Sequence, residues 1–221
     1  MSDKPLIWLG NSRDTIRAFP EDVRKVAGFQ LWRVQRGLEP NDWKPMPSVG
    51  VGVQEIRIHT GVEHRVLYVA KFAEAVYVLH AFEKRSRRTV KDDLELARQR
   101  LRLLLHQAGA PERVRCPPVR KVKQTRSSGN VFRDLGFSSD EAEHLKLRAE
   151  LMIHLQKAIA ARGLTQAEAA KLLGVAQPRV SDVMRGRIDL FSIDTLIDML
   201  AHLGIRATVV LHPRRRRAGA A

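Results

Sequence analysis

The chain has 221 residues, a formal net charge of +15 and a sequence pI near 10.8. Such a charge is unusual for a cytosolic metabolic enzyme and makes nucleic acid the expected partner, because basic side chains neutralise phosphates. The single cysteine, Cys116, excludes an internal disulfide framework and a cysteine-based zinc site, and no apolar run is long enough for a signal peptide or a membrane span. We therefore expect a soluble, cytoplasmic protein without a metal, a cofactor or a membrane partner.

The first 110 residues predict a small α+β domain with the element order β-α-α-β-β-β-α. Its predicted segments are a strand at 6–9, a helix from Glu21 to Gly37, a loop at 39–52, a meander of three antiparallel strands between Val53 and Phe82, and a helix from Thr89 to Gly109. The apolar period of two over the meander is the main argument for a sheet, and the period of helical spacing on either side is the argument for helices.

A change in composition separates this domain from the rest of the chain. Residues 111–128 contain three prolines and six lysines or arginines without apolar periodicity, which favours an inter-domain linker over an ordered loop of one larger domain. The predicted domains are therefore 1–110 and 129–221. The second is predicted to be a helical bundle with a terminal strand at 205–211, which must pair with a second copy or with a sheet edge of the first domain.

The stretch 164–203 has the pattern of a helix-turn-helix. Thr165 can cap a first helix, Gly174 allows a tight turn, and a second helix is predicted at 177–186. Side chains on the outer face of this motif, or at its helix ends, are candidates for contacts with base edges and phosphates. The candidate DNA-binding residues are Gln166, Gln177, Arg179, Ser181, Asp182, Arg185 and Arg187.

The spacing T-Q-x(3)-A-x(3)-G-V-x-Q-x(2)-V-S-x(3)-R-G resembles the XRE family of helix-turn-helix proteins, and the lead-in NVFxDLGF at 130–137 resembles the HigA-type antitoxins. Members of that family bind palindromic operators as dimers, so the resemblance implies operator DNA as a partner and a homodimer. Ala176 departs from the family, which usually has a capping serine there. A lost cap costs about 1 kcal/mol, so we expect the fold to survive and the second helix to fray at its start.

The predicted meander carries a cluster of basic side chains. Arg57 and Arg65 fall on neighbouring strands, and Lys84 follows the last strand. Clustered cations can cut RNA without a metal, because they stabilise the pentavalent phosphate and ease deprotonation of the 2′-hydroxyl. Phe82 is a candidate platform for base stacking. His80 is a further catalytic candidate, although a histidine in an apolar strand is more often a buried core residue.

The motif order V-x-E-I-R, H-R-V-L-Y and L-H-A-F-E-K-R-S-R-R-T resembles the RelE/HigB toxin superfamily over about residues 5–107. The resemblance implies a compact α+β fold, cleavage of mRNA on the ribosome, and phosphate-stabilising roles for Arg57 and Arg65, with Lys84 as the basic residue after the last strand. It leaves the general acid and base unassigned.

A HigB-like toxin followed by a HigA-like antitoxin in one chain predicts a toxin–antitoxin fusion. In this hypothesis the first domain is a latent mRNA endoribonuclease, and the second neutralises it, binds operator DNA and represses its own transcription. A linked pair has a high effective concentration, so neutralisation within one chain is feasible. The alternative is a transcription regulator whose toxin-like domain is catalytically inactive and serves as an interaction module.

Overall fold

The computed structural model describes residues 3–84, 87–109, 122–208 and 210, and it confirms the α+β class. The first half contains the predicted strands and helices, and the second half is helical. The elements are β1 (Leu6–Leu9), α1 (Ser12–Arg17), α2 (Glu21–Gln35), β2 (Trp43–Pro45), β3 (Val53–Thr60), β4 (Val62–Val69), β5 (Val76–Glu83), α3 (Arg87–Gly109), β6 (Gln124–Arg126), α4 (Val131–Asp134), α5 (Ser139–Ala161), α6 (Gln166–Leu173), α7 (Gln177–Arg185), a 3-10 turn (Ile188–Leu190) and α8 (Ile193–His202).

The strands form one sheet in the order β2-β3-β4-β5-β1-β6. The meander β3-β4-β5 is antiparallel as predicted, whereas β1 runs parallel to β5 and lies inside the sheet. Two strands were not predicted. β2 lies in the segment predicted as a loop, and β6 lies in the stretch predicted as a linker, where it pairs antiparallel with β1. Each is only three residues long, too short to show a period in the sequence.

The two faces of the sheet are covered by different helices. Ile56 and Ile58 of β3 face the layer that contains α1 and α2, where Leu6 and Trp8 of β1 also pack. Val53 of β3, Leu67 of β4 and Leu79 of β5 face α3 instead. Side chains alternate along a strand, so the direct neighbours of Ile56 and Ile58 along β3, including Arg57, belong to the α3 face.

Helix α2 is buried on more than one side and joins the two halves of the chain. One side packs on the sheet, and the other packs on α4, α5 and the 3-10 turn, so the apolar core continues from the sheet into the helix-turn-helix. The contact is close at Gly28, where an added Cβ would come within 2.7 Å of the ring of Phe132 in α4. The predicted toxin-like and antitoxin-like halves therefore share one core.

Polar contacts follow the same junction. The indole of Trp8 in β1 donates a hydrogen bond to the carboxylate of Asp134 at 3.2 Å, and Arg17 donates to the main-chain carbonyl of the same residue at 2.6 Å. Arg24 in α2 donates to the carbonyl of Leu135 at 3.1 Å and stacks on Phe137 at 4.7 Å. The two arginines satisfy carbonyl groups at the end of α4 that have no partner within the helix itself.

The C-terminal end departs from the prediction. Residues 205–208 and 210 form no strand, and the remaining residues of the predicted strand at 205–211 lie outside the described part of the chain. The prediction of a strand is therefore wrong where it can be checked, since 205–208 pair with no other strand. Residues 111–121 of the predicted linker also lie outside the described residues. Among the helices that the structure describes, none is long and apolar enough to cross a membrane.

Candidate nucleic-acid interfaces

The helix-turn-helix is built from local signals that the sequence already indicated. Thr165 and Glu168 form a reciprocal capping box at the start of α6, and the hydrogen bonds from Thr165 lower the pKa of the Glu168 carboxyl. Gly174 adopts φ +66°, the left-handed conformation that the turn between α6 and α7 requires. α7 starts at Ala176 with no side-chain cap, as predicted from the sequence.

The seven candidate DNA-binding residues occupy three kinds of position. Gln166, Gln177 and Arg185 are exposed, and Ser181 and Asp182 are half-buried on α7. Two arginines are instead held against the protein. The guanidinium of Arg179 lies 4.2 Å over the ring of Phe191, and Arg187 donates two hydrogen bonds, of 3.1 and 2.9 Å, to the carboxylate of Asp189. Of the three groups, the exposed one is ready to contact bases without first breaking an intramolecular interaction.

The C-terminal end of α7 is held by side-chain amides from other elements. The carbonyls of Val183, Met184 and Arg185 accept hydrogen bonds from Gln156 at 2.6 Å, from Asn41 at 2.7 Å and from Gln30 at 3.4 Å, respectively. Gln30 and Asn41 belong to the N-terminal half. Sequence reasoning missed both, because each is more than a hundred residues away from its partner and carries no motif.

The basic cluster lies on the α3 face of the sheet, near one end of the meander. In the strand register Arg57 is opposite Arg65, and Arg65 is opposite Phe82. The next row places Glu63 opposite His59, and the main chain of Lys84 donates to the carbonyl of Glu63 at 2.8 Å. The structure therefore brings four predicted catalytic residues into two adjacent rows: Arg57, Arg65, Phe82 and Lys84.

Carboxylates hold the cations of this cluster. Arg65 has only 6% of its side chain exposed and donates to Glu63 at 2.5 Å, and the amine of Lys84 donates to the same carboxylate at 2.9 Å. The pKa of the Glu63 carboxyl is lowered by its hydrogen bond with Lys84 and by its attraction to Arg65. Glu55 lies 3.8 Å from both Arg57 and Arg65. A phosphate that entered here would compete with carboxylates for each cation.

His80 lies one row deeper, under α3. Its Nε2 is 2.8 Å from the carboxylate of Asp93, and its Nδ1 is 3.2 Å from the guanidinium of Arg100. Since an arginine only donates, this geometry makes Nδ1 the acceptor and leaves the ring proton on Nε2, toward Asp93. Burial lowers the pKa of His80, so the neutral ring is favoured. The arrangement is that of a hydrogen-bonded core histidine.

Two consecutive residues of the loop before β2, Asn41 and Asp42, contact the end of α7 and the basic cluster, respectively. Asn41 bonds the end of α7, as described above. The carboxylate of Asp42 lies 3.7 Å from the guanidinium of Arg57 and 2.9 Å from the imidazole of His59. Helix α7, which we call the recognition helix, and the basic cluster are thus connected through a single short segment of the N-terminal half.

Two families match the chain, each over less than half of its length. Residues 131–212 match the family described as "Helix-turn-helix domain", and residues 14–102 match "Phage derived protein Gp49-like". A solved chain named "Putative XRE Family Transcriptional Regulator" is 31% identical, with 37% of this chain and 91% of that chain covered and a TM-score of 0.33. No curated protein matches the chain.

The two family matches agree with the residues described above. The C-terminal half is similar to helix-turn-helix domains over residues 131–212, and the N-terminal half is similar to Gp49-like proteins, a RelE-like toxin family. Together the two family matches support a protein of the toxin–antitoxin or transcription-regulator class. In the described part of the chain, no group of three or more His, Cys, Asp or Glu side chains is placed to hold a metal ion.

Proposed function

We propose that the chain is a toxin–antitoxin fusion protein that binds operator DNA as a homodimer and represses its own transcription, and whose N-terminal half is a latent, metal-independent mRNA endoribonuclease acting on the ribosome. The observation that carries the proposal is the pairing, in one core, of a helix-turn-helix that exposes Gln166, Gln177 and Arg185 and a sheet that aligns Arg57, Arg65, Phe82 and Lys84.

The DNA-binding part is supported by the exposed side chains of α6 and α7. Gln177 and Arg185 are side chains that can form bidentate bonds with adenine and guanine edges, and Gln166 lies at the first position of α6, where main-chain N–H groups favour a phosphate. A formal net charge of +15 adds a sequence-independent attraction to the DNA backbone.

The nuclease part is supported by the row formed by Arg57, Arg65 and Phe82 across three strands. Two guanidinium groups can stabilise a developing phosphorane charge, and Phe82, which is 5% exposed, lies in the same row beneath the surface. Latency then follows from the carboxylates of Asp42, Glu55 and Glu63, which occupy these cations. Because Asn41 bonds α7, the C-terminal half holds the segment that carries Asp42.

The DNA-binding part is tested by selecting duplexes from a random-sequence library with the full-length chain. We expect Gln177→Ala and Arg185→Ala each to lose about 1–3 kcal/mol of preference for the selected duplex. Arg102→Ala is the control of equal charge change, since Arg102 is exposed on α3, across the sheet from the helix-turn-helix layer. A selection without an enriched sequence, or equal losses for Arg102→Ala and Arg185→Ala, would refute sequence reading by α7.

The nuclease part is tested in a translating extract with a reporter mRNA, with cleavage mapped by primer extension. Glu63→Gln removes the carboxylate that binds both Arg65 and Lys84, so we expect cleavage to increase several-fold over the wild-type chain. Arg65→Ala in the same background should abolish that cleavage. If Glu63→Gln cuts no more mRNA than the double variant, the nuclease assignment is wrong.

One observation favours a second candidate, a transcription regulator with an inactive toxin-like half. Side chains of α2 pack on the sheet and on α4 and α5 at the same time, so the N-terminal half cannot leave the helix-turn-helix without exposing apolar surface. In that case the extract assay shows no cleavage for any variant, while the DNA selection still succeeds.

A further inference from the structure

The end of the recognition helix α7 is fixed by two side chains from the N-terminal half. The amide of Asn41 donates to the carbonyl of Met184 at 2.7 Å, and the amide of Gln30 donates to the carbonyl of Arg185 at 3.4 Å. The two donors are also tied to each other, because the carbonyl oxygen of the Gln30 side chain accepts from the main-chain N–H of Asn41 at 2.9 Å. We refer to Gln30 and Asn41 as the amide clamp.

The clamp leaves little free space around the helix end. Gly186 directly follows α7 with φ +73°, and a Cβ at this position would come within 2.5 Å of Phe29 and 2.7 Å of each side chain of the clamp. Gln30 is only 2% exposed. A tilt or a shift of the end of α7 would therefore break the hydrogen bonds and collide with the side chain of Phe29.

The opposite end of α7 is supported differently, through Arg179 in its first turn, whose guanidinium lies 4.2 Å over the ring of Phe191. Ala176 provides no side-chain cap, and α7 has 9 residues, which is too short for a helix that is stable by itself. The geometry of α7 is thus set by its packing and by what holds its C-terminal end. Arg185 is the exposed candidate reader at that end, and its own carbonyl is one of the groups that the clamp binds.

From this geometry we propose that Gln30 and Asn41 are positioning residues for DNA recognition. They hold the main chain beneath Arg185 through their hydrogen bonds to the end of α7, so that the Arg185 side chain enters the DNA groove at a fixed angle. Residues of the toxin-like half then contribute to sequence-specific DNA binding by α7. The inference rests on the proposed reading of DNA by α7. It goes beyond that proposal by assigning a role to residues outside the helix-turn-helix.

The test compares full-length Gln30→Ala and Asn41→Ala with the wild-type chain on two probes: a duplex selected by the wild-type chain from a random library, and a scrambled duplex of equal length and composition. Each variant leaves one main-chain carbonyl without its donor. We expect affinity for the selected duplex to fall about fivefold to thirtyfold. Affinity for the scrambled duplex and the dependence of binding on salt should stay unchanged, because phosphate contacts are intact.

Asn11→Ala is the matched control. The Asn11 side chain accepts a hydrogen bond from Arg100, so the variant also loses one hydrogen bond, but the bond lies between α1 and α3, away from α7. It should bind both probes as the wild-type chain does. Thermal melts by circular dichroism establish that every chain is folded at the assay temperature, and Asn41→Ser, which keeps a shorter donor, replaces Asn41→Ala if that variant does not fold.

Two results would overturn the positioning role. One is unchanged affinity of both clamp variants for the selected duplex. The other is an equal loss on the selected and scrambled duplexes with a weaker salt dependence, which would make the clamp a phosphate contact. Absence of any selected duplex for the wild-type chain is a separate result, since it refutes DNA reading itself and the positioning role with it.

Discussion

Replacing Phe132 by alanine tests whether the two halves of the chain share one core. Phe132 is fully buried, its ring lies against Gly28 of α2, and it packs edge-on against Phe137 with the ring centroids 6.5 Å apart. Truncation of a buried phenylalanine to alanine costs about 3–5 kcal/mol, of which the lost aromatic pair accounts for about 1 kcal/mol. The free energy of unfolding of a typical domain is only about 5–15 kcal/mol.

The expected result is one cooperative urea transition with a lower midpoint. With a denaturant slope of about 3 kcal/mol per M, a loss of about 4 kcal/mol moves the midpoint down by roughly 1–1.5 M. Amide hydrogen exchange then locates the loss. Among the described strands β4 pairs with β3 and β5, and β5 separates it from β1, whose Trp8 contacts α4; a shared core requires the β4 amides to exchange faster in Phe132→Ala all the same.

Leu147→Ala provides the control within the same half. Leu147 lies on α5 with 41% of its surface exposed, so its truncation should change the free energy of unfolding by no more than about 0.5 kcal/mol. The reasoning fails if Phe132→Ala speeds exchange in α4 and α5 alone while β4 keeps wild-type protection. Two separate urea transitions in the variant would lead to the same conclusion, namely that the halves have independent cores.

Three further predictions concern stability. Gly186→Ala places a side chain in the left-handed conformation against Phe29 and should lower the free energy of unfolding, measured with urea, by about 2–4 kcal/mol. Gly163 has φ +62° and open space around it, so Gly163→Ala should lower the free energy of unfolding by only about 1 kcal/mol. Equal losses for the two variants would contradict the tight fit at Gly186. Burial lowers the pKa of His80, so the unfolded chain binds the proton more tightly and the free energy of unfolding should fall as the pH drops below about 6.5. His80→Gln should flatten this dependence of stability on pH. An unchanged dependence would exclude His80 as its source. Burial raises the pKa of Tyr68 well above its ordinary value, so the folded state retains the phenolic proton and the free energy of unfolding should fall above about pH 10. Ultraviolet titrations of the native wild-type chain and of native Tyr68→Phe should not differ near pH 10. A normal tyrosinate signal from Tyr68 would disprove its burial.

The features that sequence reasoning predicted correctly depend on neighbours along the chain. The meander follows from an apolar period of two, and the helix-turn-helix follows from a capping box at Thr165 and a glycine at the turn. The missing cap at Ala176 was also readable, because capping is decided by residues within one helical turn. The candidate catalytic residues were chosen as a basic cluster on neighbouring strands and by resemblance to a toxin family; the register brings four of them together, and their catalytic role stays a prediction.

The features that were missed depend on contacts between distant segments. Asp42 and Asn41 sit in a loop without a pattern, and their roles arise only when α7 and β3 approach them. One signal of the shared core was present in the sequence. Val23, Ala27 and Leu31 share one side of α2, whereas Phe29 and Trp32 lie away from it, and a helix with large apolar residues on more than one side is buried on more than one side.

The continuous core has a consequence for how such a protein could be regulated. When a toxin and an antitoxin are separate proteins, their relative amounts can change, and an excess of one partner carries a signal. In the proposed fusion, α2 packs the N-terminal half against the helix-turn-helix of the same chain, so the stoichiometry would be fixed at synthesis. Differential turnover of two partners would then not apply. A change in activity would instead require a cut in this chain, a bound ligand, or a shift in the contacts that α2 makes.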